Sequence, residues 1–384
     1  MSNMENRLNN LSIHHLGFLT VCCLLWLSFS SPVQAHTIES CYCDTGCYTE
    51  EVNNLTCTDR KAKFNAKGLP HPSHDLMLGI TASNQQFPSV HNYSFEINTN
   101  PKIQPQTIAT ESGPIGVAIN GIPLFDPSTQ GPIDPATGKR PNTLDAGELD
   151  VCGGHSGRGD DYHYHIAPKC LIDDLGEDFV DVKKRPVGFA MDGFPILALG
   201  WFDRNNDVEN LLDTCRGMTD DTGSYFYNVM TVEKWDILNC FRGEPRGFAK
   251  DQWEQRYDKN KRSIVGLPIA FTIQQYQTQT LDDNVCHSMT GVLAQAEILT
   301  TSGSVKKVSN QTGSIFHCNE QCYGLFFEAE KQPQFRGRVL FYDLVTSGCP
   351  TNFGANKLST FEAYNGPPVA YKGPASTGKN APKN

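Results

Sequence analysis

Polar and apolar residues alternate over short stretches in much of this chain, and stretches with helical spacing are few. The clearest alternation is Asp-Tyr-His-Tyr-His-Ile at residues 161–166. Successive side chains of a β-strand point to opposite faces, so this period of two predicts a strand. Residues 203–213 and 250–261 are the better helix candidates. The pattern predicts a mostly β protein with few short helices.

Two pairs of similar segments occur in the same order along the chain. GVAINGIPL at 116–124 is similar to GFAMDGFPI at 188–196, and DYHYHIAP at 161–168 is similar to SYFYNVMT at 224–231. The first pair contains Asn-Gly and Asp-Gly, dipeptides that tight hairpin turns favour. The pairs predict a duplicated β-unit packed with pseudo-twofold symmetry. The alternative is chance similarity between stretches rich in Gly and Pro.

Composition divides the chain into five segments. We predict a signal peptide at 1–35, a Cys-rich N-terminal cap and linker at 36–74, a β domain at 75–284, a Cys-containing β-rich extension at 285–364 and a disordered tail at 365–384. The tail lacks apolar periodicity and is rich in Gly, Pro, Ala and Lys. The expected fold class is a disulfide-bonded β-sandwich or barrel-like domain with an internal duplication.

The first 35 residues have the layout of a secretory signal. Arg7 precedes an apolar run at 16–29, and small residues follow at 33–35. The run is too short to span a membrane, so we expect a secreted, extracellular protein with no membrane span. Removal of the signal takes two of the 14 cysteines with it. The even number that remains favours disulfides in an oxidising compartment.

Glycosylation triplets and net charge restrict the expected partners. Asn-x-Ser/Thr acceptors are present at Asn54, Asn92 and Asn310, which is typical of a secreted glycoprotein. The formal net charge is -10. An acidic protein is a poor partner for nucleic acid or for an anionic membrane surface.

Three histidines form the strongest candidate site. His163 and His165 lie two residues apart, and His155 lies eight residues before His163. On a strand, His163 and His165 share one face with their Cα atoms about 7 Å apart. The Gly-rich stretch after His155 can fold it back as a third ligand. Three imidazoles suit Zn²⁺ or a copper ion.

Other residues near this motif are candidates for supporting roles. His91 is a candidate fourth ligand. Asp150, Asp160, Asp161 and Asp192 are candidates to accept the second ring N–H of a ligating histidine, since such imidazoles usually donate it to an oxygen. The alternative is a hydrogen-bonded cluster of tyrosines and histidines without metal, with the aspartates acting as turn residues.

Cysteines on either side of the motif favour disulfides over metal ligation. Cys152 and Cys170 bracket the histidines, and the predicted export signal makes a bridge between them the preferred interpretation. Cys215–Cys240 is a plausible second bridge. Arg158-Gly159-Asp160 spells a tripeptide that integrins bind on exposed loops, although Gly and Asp also serve ordinary turns.

Four motifs together resemble a known family. GVAINGIPLFDP, LDVCGGHSGRGDDYHYHIAPKC, PVGFAMDGFPI and TGSYFYNVMT occur in this order. With them the chain resembles the YHYH-domain family, named after the tetrapeptide at 162–165, over about residues 80–235. The family has no settled biochemical activity. The resemblance therefore implies the fold unit and the histidine motif, and it implies no reaction.

The function that these observations favour is transition-metal binding in a secreted glycoprotein. No serine elbow, phosphate loop or dinucleotide fingerprint stands out, which disfavours a hydrolase or a kinase and leaves a metal-dependent enzyme open. The metal, zinc or copper, would serve an enzyme, be sequestered, or act as a structural clip. The alternative is an extracellular-matrix or adhesion protein with matrix or cell-surface partners, in which the YHYH motif is structural.

Overall fold

Strands make up most of the regular structure. The computed structural model describes residues 38–82, 87–111, 113–129, 133–157, 161–203, 205, 208–231, 235–246, 271–281, 283–300, 305–319, 322–327 and 335–337. The predicted signal peptide, the helix candidate at 250–261 and the predicted tail lie outside these residues.

The strands fall in two groups along the chain. The first group is β1 (Val52–Cys57), β2 (Lys61–Ala66), β3 (Tyr93–Asn98), β4 (Ile108–Ala109), β5 (Pro114–Ala118), β6 (Pro123–Phe125), β7 (Gly154–Ser156), β8 (Tyr162–Tyr164), β9 (Gly188–Ala190), β10 (Pro195–Leu197), β11 (Gly217–Thr219), β12 (Tyr225–Asn228) and β13 (Cys240–Phe241). The second group is β14 (Phe271–Leu281), β15 (Asn284–Thr300), β16 (Val305–Asn319), β17 (Cys322–Phe327) and β18 (Phe335–Gly337).

Helical structure is short. The α-helix α1 spans Lys169–Glu177 and continues into a π-helical turn at Asp178–Val182. Single 3-10 turns lie at Ile38–Tyr42, Thr45–Cys47 and Glu209–Leu211. The helix predicted at 203–213 is wrong, because the described residues there contain only the last of these turns. Among the described residues, no helix is long and apolar enough to cross a membrane.

The strands form four open sheets. Their orders are β1-β2-β3, β11-β12-β10-β9-β5-β6-β8-β7, β13-β4, and β14-β15-β16-β17 with β18 pairing β15. The mostly β, disulfide-bonded fold is confirmed, and none of the sheets built by the described residues closes into a barrel.

The eight-stranded sheet has pseudo-twofold symmetry, as the similar segments predict. Its centre is the antiparallel pair β5–β9, in which Val117 lies opposite Phe189, its equivalent in the second segment. On either side follow a hairpin partner, a parallel strand and an antiparallel edge strand. We call β5–β8 the first half of the sheet and β9–β12 the second half.

The two Gly-containing hairpin turns pack against the three-stranded sheet. Gly121 and Gly193 have positive φ values of 74° and 95°. A Cβ on Gly121 would lie 2.1 Å from the Cβ of Ala66, and one on Gly193 would lie 2.4 Å from the carbonyl oxygen of Asn98. Only glycine satisfies both the backbone conformation and the close approach. Each half is thereby anchored to β2 or β3.

Residues 61–66, inside the predicted cap and linker at 36–74, form the central strand β2 of the three-stranded sheet. Ala62, Phe64 and Ala66 point into the core, whereas Lys61 and Lys63 are exposed. Its partner β3 lies beyond the predicted boundary at residue 75, so the sheet joins the cap to the β domain. The last sheet likewise begins at β14, before the predicted boundary at residue 285.

One main hydrophobic core lies on the tyrosine face of the eight-stranded sheet. Tyr162 and Tyr164 from β8 and Tyr227 from β12 are fully buried there, together with Phe64 and Phe95 from the three-stranded sheet. The residues between these tyrosines point to the opposite face. That opposite face carries the histidines in the first half.

Disulfides tie the loops to this core. The two bridges expected from the sequence, Cys152–Cys170 and Cys215–Cys240, are both present. In the cap, where the sequence left the pairing open, the bridges are Cys41–Cys47 and Cys43–Cys57. Bonds of this kind fit an oxidising, extracellular compartment.

Candidate metal centre

The strand pair β7–β8 and the residue that follows it bring the three histidines together. His155 in β7 lies directly opposite His163 in β8, and His165 comes just after β8 on the same face. The Gly157 N–H donates to the Asp161 carbonyl oxygen, which holds together the two ends of the connection from β7 to β8. His155 is therefore folded back beside His163, as predicted.

The three imidazoles point their Nε2 atoms at one another. The Nε2 atom of His163 lies 3.1 Å from the Nε2 atoms of both His155 and His165. The ring centroids form a nearly equilateral triangle with sides of 4.8, 4.9 and 4.9 Å. Two nitrogens at about 2.05 Å from a tetrahedral zinc ion are separated by about 3.3 Å. The group could therefore hold a metal ion.

The other ring nitrogen of each histidine faces an oxygen. His155 Nδ1 lies 3.0 Å from the Glu148 carbonyl oxygen, and His165 Nδ1 lies 2.5 Å from the carbonyl oxygen of Asp126. His163 Nδ1 lies 3.0 Å from both the carbonyl oxygen and Oδ2 of Asp161. Because these oxygens only accept, each neutral imidazole carries its proton on Nδ1. The converging Nε2 atoms are therefore the ring nitrogens available to a metal ion.

Burial keeps two of these imidazoles neutral. His155, His163 and His165 are 5%, 4% and 6% exposed. Desolvation, followed by the neighbouring charge of His163, lowers the pKa of His155 to about 3. Desolvation also lowers the pKa of His165 well below its usual value. Neutral imidazole is the form that binds metal, so His155 and His165 are in the metal-binding form at neutral pH.

Close packing restricts the rings. The Phe125 ring stacks on His163 with centroids 3.9 Å apart and an interplanar angle of 21°. A Cβ on Gly157 would lie 2.8 Å from His163 Cε1, so glycine is required beside the ring. The orientations of the histidines are therefore set by packing as well as by hydrogen bonds.

The second half repeats this scaffold without histidines. By strand register, Met218, Phe226 and Asn228 stand where the first half has His155, His163 and His165. Phe226 packs in a small apolar cluster with partly buried Met218, and the Asn228 amide bonds to the backbone of Leu199. The same fold thus closes this face with ordinary packing. Histidines are not needed to form it.

Of the residues expected to support the histidines, only some lie beside them. Asp161 accepts from His163, as predicted. Asp150 accepts hydrogen bonds from backbone N–H groups and from the Tyr162 hydroxyl. Asp192 belongs to the second half, where it accepts from Tyr227. His91 packs against Tyr93 and is not one of the three clustered histidines. Residues 158–160, including Asp160 and the Arg-Gly-Asp triplet, lie outside the described residues.

Part of the chain matches a known protein family. Residues 94–209 match the family model described as YHYH protein. The resemblance is confirmed for this YHYH region, which is narrower than the span of about residues 80–235 expected from the motifs. No curated protein and no solved structure matches the chain. The YHYH region includes all three histidines and the central pair β5–β9.

Three contributors to the site were not predicted from the sequence. Phe125 is the last residue of β6 and Asp126 follows it, inside one of the motifs that carry the family resemblance, and Glu148 precedes β7. Asp126 and Glu148 act through backbone carbonyls, which every residue has. Composition therefore gives no signal for them. Phe125 could have been predicted from its place in an apolar run, since it ends the strand β6 that pairs with the histidine strand β8.

Proposed function

We propose that the YHYH region binds one transition-metal ion through the Nε2 atoms of His155, His163 and His165. The protein that carries it is a secreted, disulfide-bonded glycoprotein. Zinc is the metal that the site favours.

The observation that carries this proposal is the difference between the two halves of the sheet. Burying a polar imidazole costs desolvation free energy. The second half has Met218 and Phe226 on an equivalent pair of strands instead. The fold therefore does not require three buried histidines with converging Nε2 atoms. A bound cation would be coordinated by all three of these atoms at once.

The shape of the triangle favours zinc over Cu²⁺. In a square-planar site, three imidazoles include one pair on opposite sides of the metal, with centroids about 6 Å apart. Here all three centroid separations are 4.8 or 4.9 Å, so the ligands occupy one face of a coordination sphere. Tetrahedral zinc takes three such ligands and leaves a fourth position. With three nitrogens and no carboxylate in the group, magnesium and calcium fit poorly.

Three protein ligands would leave a zinc ion a fourth position for water or a substrate oxygen, and a zinc ion so held would lower the pKa of a bound water towards 7, which supports a catalytic use. A purely structural clip is less well supported, because the second half keeps the same strand arrangement around an apolar cluster.

Secretion and glycosylation rest on separate observations. The disulfides fit an oxidising compartment, and the side chains of Asn54 and Asn92 are exposed. Asn310 has no described side chain. The matrix or adhesion alternative depends on the Arg-Gly-Asp triplet, which is also outside the described residues. Metal binding is therefore the better supported function.

Elemental analysis of the untagged protein secreted from eukaryotic cells tests the proposal. The matched variant is His155→Met/His163→Phe, which installs the residues found at the equivalent positions of the second half. We expect about one equivalent of zinc in the wild type and none in this variant, which should remain folded because both residues already pack on this scaffold.

A second-half variant provides the control. Phe226→Leu removes packing from the equivalent position without touching the histidines, so it should retain the wild-type metal content. Equal metal in the wild type and in the His155→Met/His163→Phe variant would refute ligation by these histidines. Absence of metal in the wild type after incubation with zinc and copper would refute the function itself.

A further inference from the structure

We infer that Asp150 is a positioning residue for the metal centre, an inference that rests on the proposed function. Its carboxylate acts on the tyrosine face of β7–β8, opposite the histidines. Its hydrogen bonds fix the separation at which His155 and His163 present their Nε2 atoms.

Asp150 gathers four donors from three parts of the chain. Oδ1 accepts from Cys152 N–H at 2.9 Å and from Gly154 N–H at 3.1 Å. Oδ2 accepts from Met77 N–H at 2.9 Å and from the Tyr162 hydroxyl at 2.8 Å. We call this arrangement the reverse-face latch. The carboxylate is 6% exposed, so these bonds compete little with water.

The latch holds the residue immediately before each of two facing ligands. Gly154 precedes His155, and Tyr162 precedes His163. Each strand has only three residues, so few ladder hydrogen bonds fix the register of the pair. Side chains alternate between faces, and a shift at Gly154 or Tyr162 therefore moves the adjacent imidazole. Metal ligation tolerates displacements of about 0.5 Å.

The second half contains a related latch behind strands that carry no histidines, although Asp213 is exposed and its Oδ2 lies 3.6 Å from Arg242 Nε, whereas Asp150 Oδ2 accepts from Met77 N–H. Asp213 Oδ1 accepts from Cys215 N–H at 2.8 Å and Gly217 N–H at 3.1 Å, and Oδ2 accepts from the Tyr225 hydroxyl at 3.0 Å. The latch is thus a general element of the duplicated unit. Only in the first half does it stand behind the proposed metal ligands, so Asp213 is the corresponding residue for a comparison variant.

The experiment compares the full-length wild type with Asp150→Asn and Asp213→Asn. Zinc affinity is measured by competition with a chelator, and the melting temperature of each metal-free protein is measured in parallel. The absorption spectrum of bound cobalt(II) reports the coordination geometry. We expect both variants to melt at lower temperature. We expect a zinc affinity lower by roughly 10- to 100-fold, with an altered cobalt spectrum, in Asp150→Asn alone.

Two outcomes would overturn this inference while leaving metal binding in place. One is a wild-type zinc affinity and cobalt spectrum in Asp150→Asn. The other is an equal loss of affinity in Asp213→Asn, which would show a general effect of stability. A wild type that binds no zinc refutes the proposed function, and this inference with it.

A milder pair of variants covers the case in which Asp150→Asn does not fold. Tyr162→Phe removes one of the four donors and keeps the carboxylate, and Tyr225→Phe makes the same change in the second half. The zinc affinity should fall in Tyr162→Phe and remain unchanged in Tyr225→Phe. Unchanged affinity in both would contradict the latch.

Discussion

Each histidine of the cluster uses one ring nitrogen for orientation and presents the other to its neighbours. The spacing of His163 and His165 was enough to predict their shared face, and the Gly-rich stretch was enough to predict the return of His155. The sequence could not indicate the two backbone carbonyls that fix His155 and His165. Their positions depend on loops whose paths arise from tertiary packing.

The Asp161 carboxylate is expected to strengthen metal binding through His163. Asp161→Asn should weaken zinc affinity by roughly 10-fold or more, because the amide orients the ring and raises its basicity less effectively than a carboxylate. Chelator competition measures the effect. Asp174→Asn is the control, since Asp174 bonds His74 outside the cluster at 2.7 Å. An equal loss in both variants would argue against a local role for Asp161.

The lowered pKa of His155 predicts how the stability of the metal-free protein depends on pH. In the unfolded chain the imidazole takes up a proton near pH 6.5, whereas in the fold its pKa is about 3. The unfolded state then binds more protons between these values, so the free energy of unfolding should decrease as pH falls from about 6.5 towards 3. Urea unfolding of chelator-treated protein at several pH values measures this.

His155→Met isolates that contribution. Asp150 opposes it, because burial raises its pKa to about 6 and the fold takes up a proton there in the same range. That opposing effect is common to the wild type and the variant. The variant should therefore lose less stability on acidification than the wild type, and an identical pH dependence would contradict the role given to His155.

At the scale of elements, strand alternation was easier to predict than isolated helical turns. The hairpins at Asn120-Gly121 and Asp192-Gly193 follow from local turn preference and formed as expected. Helix α1 was missed because nine residues, with Gly176 near the end, give too short a periodic signal. Strand β2 was missed because its exposed face is rich in lysine, and only its pairing with β3 shows its role.

The disulfides at the two edges of the sheet should differ in their effect on metal binding. Cys152–Cys170 closes the segment that carries all three histidines, whereas Cys215–Cys240 closes its counterpart in the second half. Each closes a loop whose cross-link contributes about 3 kcal/mol. Replacing either pair by serine should lower stability similarly, and only the first replacement should weaken zinc affinity.

Denaturant unfolding and zinc titration of the two double-serine variants separate these effects. The comparison is informative because the bridges occupy equivalent positions before β7 and β11. Equal zinc affinities in the two variants would show that the first bridge serves stability alone.

At the scale of the molecule, metal should stabilise the fold by mass action. Zinc at about 100 times its dissociation constant contributes about 2.7 kcal/mol, which raises the melting temperature by several degrees. Chelator should reverse the increase. The His155→Met/His163→Phe variant should melt at the same temperature with zinc or chelator, as measured by thermal unfolding under both conditions. A zinc-dependent shift in that variant would place the binding site elsewhere.

The similar segments predicted the pseudo-twofold symmetry of the eight-stranded sheet. The residues they share include the glycines of the two hairpin turns and residues of the central strands β5 and β9. The similarity could not show that Val117 and Phe189 meet across the centre of the sheet, since the pairing of the halves is a long-range contact.

The antiparallel β5–β9 pair has a consequence for how the protein responds to dilution. Two separate chains, each supplying one half, would build a similar sheet only as a homodimer, and such an assembly dissociates as its concentration falls. In this protein both partners belong to one polypeptide, so the halves meet at a fixed effective concentration. A homodimer would also have to carry identical halves. A continuous chain can instead place histidines in one half and apolar residues at the equivalent positions of the other.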